Sequence, residues 1–192
     1  MQECRIAAHD LACLRGERLL FRGLSLALGQ GDALHIRGAN GIGKSSLIRI
    51  LAGLLRPFSG DVERTGAVGL LDERPAIDPH LPLGKALAFW QLMDGPADNE
   101  AARLGLSHLL DVPVRFLSTG QRKRAALARL IGQAAPIWLL DEPLNGLDSD
   151  AAALTETLVS EHCAQGGIAI IASHQTFALT GMDRLELAEF TA

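Results

Sequence analysis

Leu24, Leu26 and Leu28 alternate with Ser25 and Ala27. A period of two predicts a half-buried antiparallel strand, and the stretch 2–37 as a whole reads as β structure. Gly29-Gln30-Gly31-Asp32 is turn chemistry before a short strand at Ala33-Leu34-His35-Ile36-Arg37. Leu47, Ile48, Leu51, Leu54 and Leu55 then recur at helical spacing. That helix is expected to run to Arg56-Pro57, because proline disfavours helix at the residue before it. Ser59-Gly60-Asp61 predicts a turn, and residues 67–71 predict another strand. Pro75, Pro79, Pro82, Pro96 and Pro113 cut the next stretch into short helical patterns. One passes through Leu83, Ala86, Leu87 and Trp90, and another covers 101–110; together they predict a small helical insert. From Leu117 the pattern sharpens. Ser118-Thr119-Gly120-Gln121 fits a capping box, followed by a helix with Ala125, Leu127, Ala128 and Ile131 on its apolar side. Ile137-Trp138-Leu139-Leu140 and residues 168–172 are continuous apolar strands. Between them Leu154, Leu158 and Val159 mark a helix closed by Gly166-Gly167. Apolar strands alternating with helices predict a parallel sheet covered on both faces.

Composition narrows the class. A chain of 192 residues, 48% of them apolar, predicts one globular domain over 1–192, with the helical part at about 76–130. A net charge of -4 and no long basic run argue against a nucleic-acid partner. The three cysteines, Cys4, Cys13 and Cys163, are odd in number and far apart. They signal neither a disulfide framework nor a zinc site, and are expected to be buried, inert thiols. The start, Met1-Gln2-Glu3-Cys4-Arg5, does not read as a signal peptide. Apolar runs fall far short of the ~18 residues that span a bilayer. The expected location is therefore the cytosol, or a membrane surface reached through a partner.

The strand at 33–37 runs into Gly38-Ala39-Asn40-Gly41-Ile42-Gly43-Lys44-Ser45, which reads G-x-x-x-x-G-K-S, the phosphate-binding P-loop. Glycines let successive amide N–H groups curl toward one point, with the positive end of the following helix behind it. Residues 38–46, Ser46 included, are the expected ATP-binding segment. Lys44 would reach the β- and γ-phosphates, as a surface-facing charge, and the Ser45 hydroxyl would ligate Mg²⁺. Ligands of open α/β sheets sit beyond the carboxyl ends of the strands. Two further groups fall there. Asp141-Glu142 follows an apolar strand: Asp141 would hold Mg²⁺ through water, and Glu142 would face the attacking water as general base. An acidic pair in that place is also what a helix N-cap or a solvated turn produces; the upstream P-loop favours the catalytic arrangement. His174, at the end of the last apolar strand, is a candidate sensor of the γ-phosphate. His9, His35, His80, His108 and His162 have no such context.

With these residues in place, the chain resembles the ABC ATPases. Phe116-Leu117-Ser118-Thr119-Gly120-Gln121 is similar to their LSGGQ signature. Leu139-Leu140-Asp141-Glu142-Pro143 follows at the usual interval, then Gly146-Leu147-Asp148 like their D-loop, then His174 as their switch. The resemblance implies a P-loop NTPase of ABC type: a RecA-like parallel sheet, an antiparallel β part and a small helical insert. It also implies a head-to-tail homodimer, because Ser118, Thr119, Gly120 and Gln121 would cap the ATP held by the other subunit's P-loop. Stretches such as His9-Asp10-Leu11-Ala12-Cys13, Arg18-Leu19-Leu20-Phe21, Leu51-Ala52-Gly53-Leu54-Leu55-Arg56-Pro57 and Ser173-His174-Gln175 resemble the ATP-binding subunits of haem exporters in cytochrome c maturation. This closer resemblance implies an integral membrane permease as partner, docking on the insert near Leu83 to Leu92. It implies a place at the cytoplasmic face of a bacterial inner membrane, and haem enters through it alone. Soluble ABC ATPases that remodel a protein complex, and weakly hydrolysing nucleotide-dependent regulators, remain the alternatives.

Three departures from the family pattern stand out. The family's Gln-loop glutamine has no counterpart in Leu71-Asp72-Glu73-Arg74-Pro75, where Asp72 or Glu73 could approach the metal or simply form an exposed acidic loop. No aromatic stands where the family stacks adenine, near Cys13 to Arg18, so an Arg or Leu side chain is expected there. The signature carries Thr119 where glycine is commonest.

Overall fold

The computed structural model describes residues 3–94 and 100–191. Two long strands, β1 (Arg5–Arg15) and β2 (Arg18–Leu28), form a hairpin. The alternation at residues 24–28 holds in it: Leu24 and Leu28 are buried, Ser25 and Ala27 exposed. β3 (Ala33–Arg37) leads into α1 (Lys44–Leu51), then β4 (Ser59–Thr65) and β5 (Val68–Leu71). The insert holds α2 (Leu83–Asp94), α3 (Glu100–Arg103) and 3-10 turns at Ser107–Leu109 and Val114–Phe116. α4 (Thr119–Gly132), β6 (Ile137–Asp141), α5 (Ser149–Ala164), β7 (Ile168–Ala172) and β8 (Asp183–Glu186) follow.

The strands form two sheets, an antiparallel one in the order β2-β1-β4 and a parallel one in the order β5-β6-β7-β3-β8. β6 and β7 are buried throughout, as an apolar strand covered on both faces must be. Their alternate side chains serve different cores. Trp138, Leu140, Ala169 and Ile171 pack with α2, α4 and α5. Ile137, Leu139, Ile168 and Ile170 pack with α1 and the β1–β2 hairpin. α1 thus lies between the two sheets, fixed on both sides, and the loop feeding it is held at the C-terminal edge of the parallel sheet.

Three local expectations are corrected, and one strand had not been expected. α1 ends at Leu51 rather than near Pro57. Gly53 adopts φ +78°, its N–H bonds to Ile50 O and the Leu54 N–H bonds to Arg49 O. That is a Schellman ending, so the leucines at 54 and 55 continue the period but not the helix. Residues 59–61 belong to β4, not to a turn. The turn-like glycine is there because Gly60 faces a bulge in β1, where a Cβ would lie 2.3 Å from the His9 carbonyl. The helix expected over 101–110 is only α3 and a 3-10 turn, broken at Gly105, where the Leu106 N–H closes onto Ala101 O. β8, polar and short, pairs with β3 at the edge and had no periodic signal.

Candidate functional site

The register brings three chain segments to one level. Asp141 lies opposite Ala172, and Ala172 opposite Ile36, so the ends of β6, β7 and β3 are side by side. Residues 38–43 leave β3 at this edge and turn into α1. Gly43, at φ +123°, is the N-cap of α1 and provides no side-chain cap. The first N–H groups of α1 are therefore left for an anion. A Cβ at Gly43 would also press on Phe21, 3.2 Å away.

Lys44 corrects the expectation of a surface-facing charge. It is only 5% exposed. Its ammonium donates to Gly38 O at 2.9 Å and Ala39 O at 3.3 Å, and stands 3.5 Å from Glu142 Oε1. A buried ammonium needs such partners; a phosphate arriving in the loop offers it better ones.

Asp141 is buried at the end of β6, and its Oδ1 has no hydrogen-bond partner. Burial raises its pKa, and Glu142 and Glu73 add to the rise, against the Ser45 hydroxyl and Arg49, which lower it. An unpaired carboxylate oxygen beside a serine hydroxyl is a hard-oxygen donor set of the kind Mg²⁺ takes. Glu142 is held from several sides. Oε2 accepts from Ser173 Oγ at 3.1 Å and lies 3.0 Å from His174 Nδ1; Oε1 accepts from the His174 N–H at 3.3 Å. Burial pushes its pKa up, but these hydrogen bonds and the charges of His174 and Lys44 outweigh it and leave the carboxyl below its usual value. Its backbone sits at φ +47°, a left-handed conformation uncommon for a side-chain-bearing residue. Lys44, Asp141, Glu142 and His174 thus converge as the sequence suggested.

Residues 118–121 do not join that cluster. They form the first turn of α4, where the Gln121 N–H bonds to Ser118 Oγ at 3.2 Å and the Ser118 N–H to Gln121 Oε1 at 2.8 Å, a complete capping box. This turn lines a cleft of its own, about 500 Å³, with Arg124, Gly146, Leu147 and Asp148. One chain therefore presents a phosphate loop and a capped helix start that face different spaces.

A family model described as ABC transporter matches residues 21–145. The chain belongs to the ABC transporter family. It is 59% identical to the cytochrome c biogenesis ATP-binding export protein CcmA of Novosphingobium aromaticivorans, over 99% of both chains. It is 52% identical to the protein of the same name from Zymomonas mobilis, over 98% of this chain and 86% of that one. Among solved structures, a candidate ABC transporter ATP-binding protein of Pyrococcus furiosus superposes with a TM-score of 0.82, covering 98% of this chain and 100% of that one. At 21% identity that likeness shows the shared ABC fold.

Against this family pattern, the Gln-loop position is occupied by an acidic loop. Asp72 Oδ1 accepts from the Arg74 N–H at 2.8 Å, and Asp72 Oδ2 lies 3.9 Å from Arg49 of α1. Glu73 lines a cleft of about 260 Å³ with Lys123, Glu142 and Asn145. Where ABC proteins stack adenine, Cys13 is buried against Ser46 and Leu14 is exposed, with no aromatic. All three cysteines are free and buried.

Two residues of the ABC site escaped the sequence reading. Ser173 stood only within the stretch Ser173-His174-Gln175 and was given no role, and its hydroxyl donates to Glu142. Lys123 donates to the Glu142 carbonyl at 3.0 Å from inside the protein. Its signal was available: it falls on the buried stripe with Ala126, Leu127 and Leu130, where a lysine is out of place.

Proposed function

We propose that the chain is the ATP-hydrolysing subunit of an ABC exporter that serves cytochrome c biogenesis, with haem as the cargo class. The identity of 59% over the whole chain to the Novosphingobium export protein carries the system, and the cluster around Glu142 carries the chemistry. Lys44 and the free N–H groups of α1 receive the β- and γ-phosphates, Leu14 or Arg15 packs the base, and residues 39–42 and Ser46 complete the nucleotide contact. Ser45 and Asp141 would hold Mg²⁺, which would supply charge neutralisation at the phosphates. When phosphate draws Lys44 away, Oε1 of Glu142 loses its ion pair. Glu142 then accepts a proton from water as the water oxygen bonds to the γ-phosphorus and the bond to ADP breaks. His174 and Ser173 keep the carboxylate aimed meanwhile.

The two half-sites of one chain are completed by a second copy, head to tail, so that residues 118–121 of each cap the other's ATP. No helix among the described residues is long and apolar enough to cross a membrane, and a separate permease supplies the membrane half. The outer side of α2, with Phe89, Leu92 and Met93 exposed, supports docking there, and with it a peripheral position on the inner membrane. Co-purification with a membrane permease and ATP-dependent phosphate release by that complex are expected. A complex that binds ATP but releases no phosphate overturns the reading.

A further inference from the structure

Lys123 is 9% exposed, one of the few buried charges among the described residues. Burying an ammonium is costly unless it is bonded and compensated. Here burial disfavours the charged form, while the carboxylates of Asp141, Glu73, Glu142 and Asp72 favour it. Its hydrogen bond goes not to one of those carboxylates but to the main-chain oxygen of Glu142, at 3.0 Å. The backbone of Glu142 is pinned on both sides. The Glu142 N–H donates to Ala172 O of β7 at 2.8 Å, and the Glu142 C=O accepts from Lys123 and from the Asn145 N–H at 3.3 Å. Between these anchors the residue holds φ +47°. Such torsions persist only where the surroundings over-determine them.

We infer that Lys123 is a positioning residue for ATP hydrolysis: through the Glu142 carbonyl it holds the left-handed turn that aims the Glu142 carboxylate. The inference rests on Glu142 being the general base. It also gives the acidic loop a role. Asp72 and Glu73, standing where a neutral glutamine is usual, line one cleft with Lys123, and their charges offset part of the cost of burying its ammonium. Lys123 lies one turn into the helix that begins with residues 118–121. A shift of the capped helix start, or of the loop after β5, therefore reaches Glu142 through one side chain.

The test uses the chain assembled with its permease, measuring kcat and KM for ATP. Lys123→Met keeps the stem and removes the donor; kcat should fall about 10- to 100-fold with KM within about twofold. Lys123→Arg, which keeps a charged donor, should recover much of the loss. In single-turnover assays on Glu142→Gln, adding Lys123→Met should cost nothing further, because the group it positions is already gone. A wild-type kcat in Lys123→Met, a loss confined to KM, or the same fold loss in both backgrounds overturns the inference. If Lys123→Met does not fold, Lys123→Gln, whose donor stops short of the carbonyl, carries the same comparison. A wild-type complex that releases no phosphate instead overturns the ATPase reading itself.

Discussion

Glu142 stands under opposed demands. In the role of general base proposed for it, the carboxylate must take a proton, yet His174, Ser173 and Lys44 hold it ionised. The consequence shows in stability. Its pKa in the folded chain lies below the ordinary 4.5, so the folded state favours the ionised form. The stabilisation is complete above about 4.5 and is lost as pH falls through the lower folded value. Replacing the side chain by glutamine removes that titration. The melting temperature of wild type relative to Glu142→Gln, without nucleotide, should therefore be highest near neutral pH and decline below about 4.5. A difference that grows as the medium becomes acidic would contradict the hydrogen-bonded arrangement. At this scale the sequence was most legible where chemistry is written in a motif. Lys44, Asp141, Glu142 and His174 all met. It was blind to how a side chain is satisfied before ligand arrives. Lys44 lies buried on its own loop, bonded to the Gly38 and Ala39 carbonyls and beside Glu142. Lys123 is invisible as a partner because main-chain acceptors carry no residue identity.

α4 and the segment after Glu142 touch through a glycine. A Cβ on Gly120 would lie 2.8 Å from the Gly146 carbonyl oxygen, closer than real Cβ contacts allow. In Gly120→Ala either the first turn of α4 or the loop at 146–148 must move. The expected cost is on the order of 1–3 kcal/mol, seen as a lower melting temperature. ATP-driven pairing of subunits should suffer more than ATP binding to the isolated chain, since Lys44 and α1 lie elsewhere. Comparing nucleotide affinity with dimer formation in the variant checks this, and equal losses in both would argue against it. Thr119, beside it, tolerates its extra bulk because its methyl rests 3.1 Å from where a Gly146 Cβ would be, and glycine leaves that space open. Element identities were mostly readable, because buried parallel strands and capped helices have strong periodic or end signals. Element ends were less so. Gly53 stops α1 before Pro57 has any say, and Gly60 looks like a turn although it serves a bulge. β8 was missed because an edge strand needs no apolar run.

Each chain presents its phosphate loop and its capped helix start to different spaces. In the head-to-tail pair we propose, the helix start of a second copy would meet the nucleotide on the first copy's loop, and the pairing should be as strong as that nucleotide bridge. In wild type, cleavage should remove the bridging phosphate and reopen the pair. Glu142→Gln keeps the shape and the hydrogen-bonding capacity of the side chain, so it should bind ATP but hydrolyse it ~10²–10⁴ times more slowly. It should then accumulate as an ATP-bound dimer in size-exclusion chromatography with ATP and Mg²⁺, and wild type should not. Ser118→Arg in the same background places a bulky cation where the second subunit's phosphates must approach. It also removes the helix cap at a cost of about 1 kcal/mol, which a thermal melt registers separately. Dimer formation should be abolished while ATP binding to the monomer survives. The same pair of variants, assembled with the permease, reads the coupling in the complex where the subunits are held together. Wild-type turnover by Glu142→Gln in either setting removes Glu142 from the mechanism, and a dimer that forms despite Ser118→Arg removes the shared site.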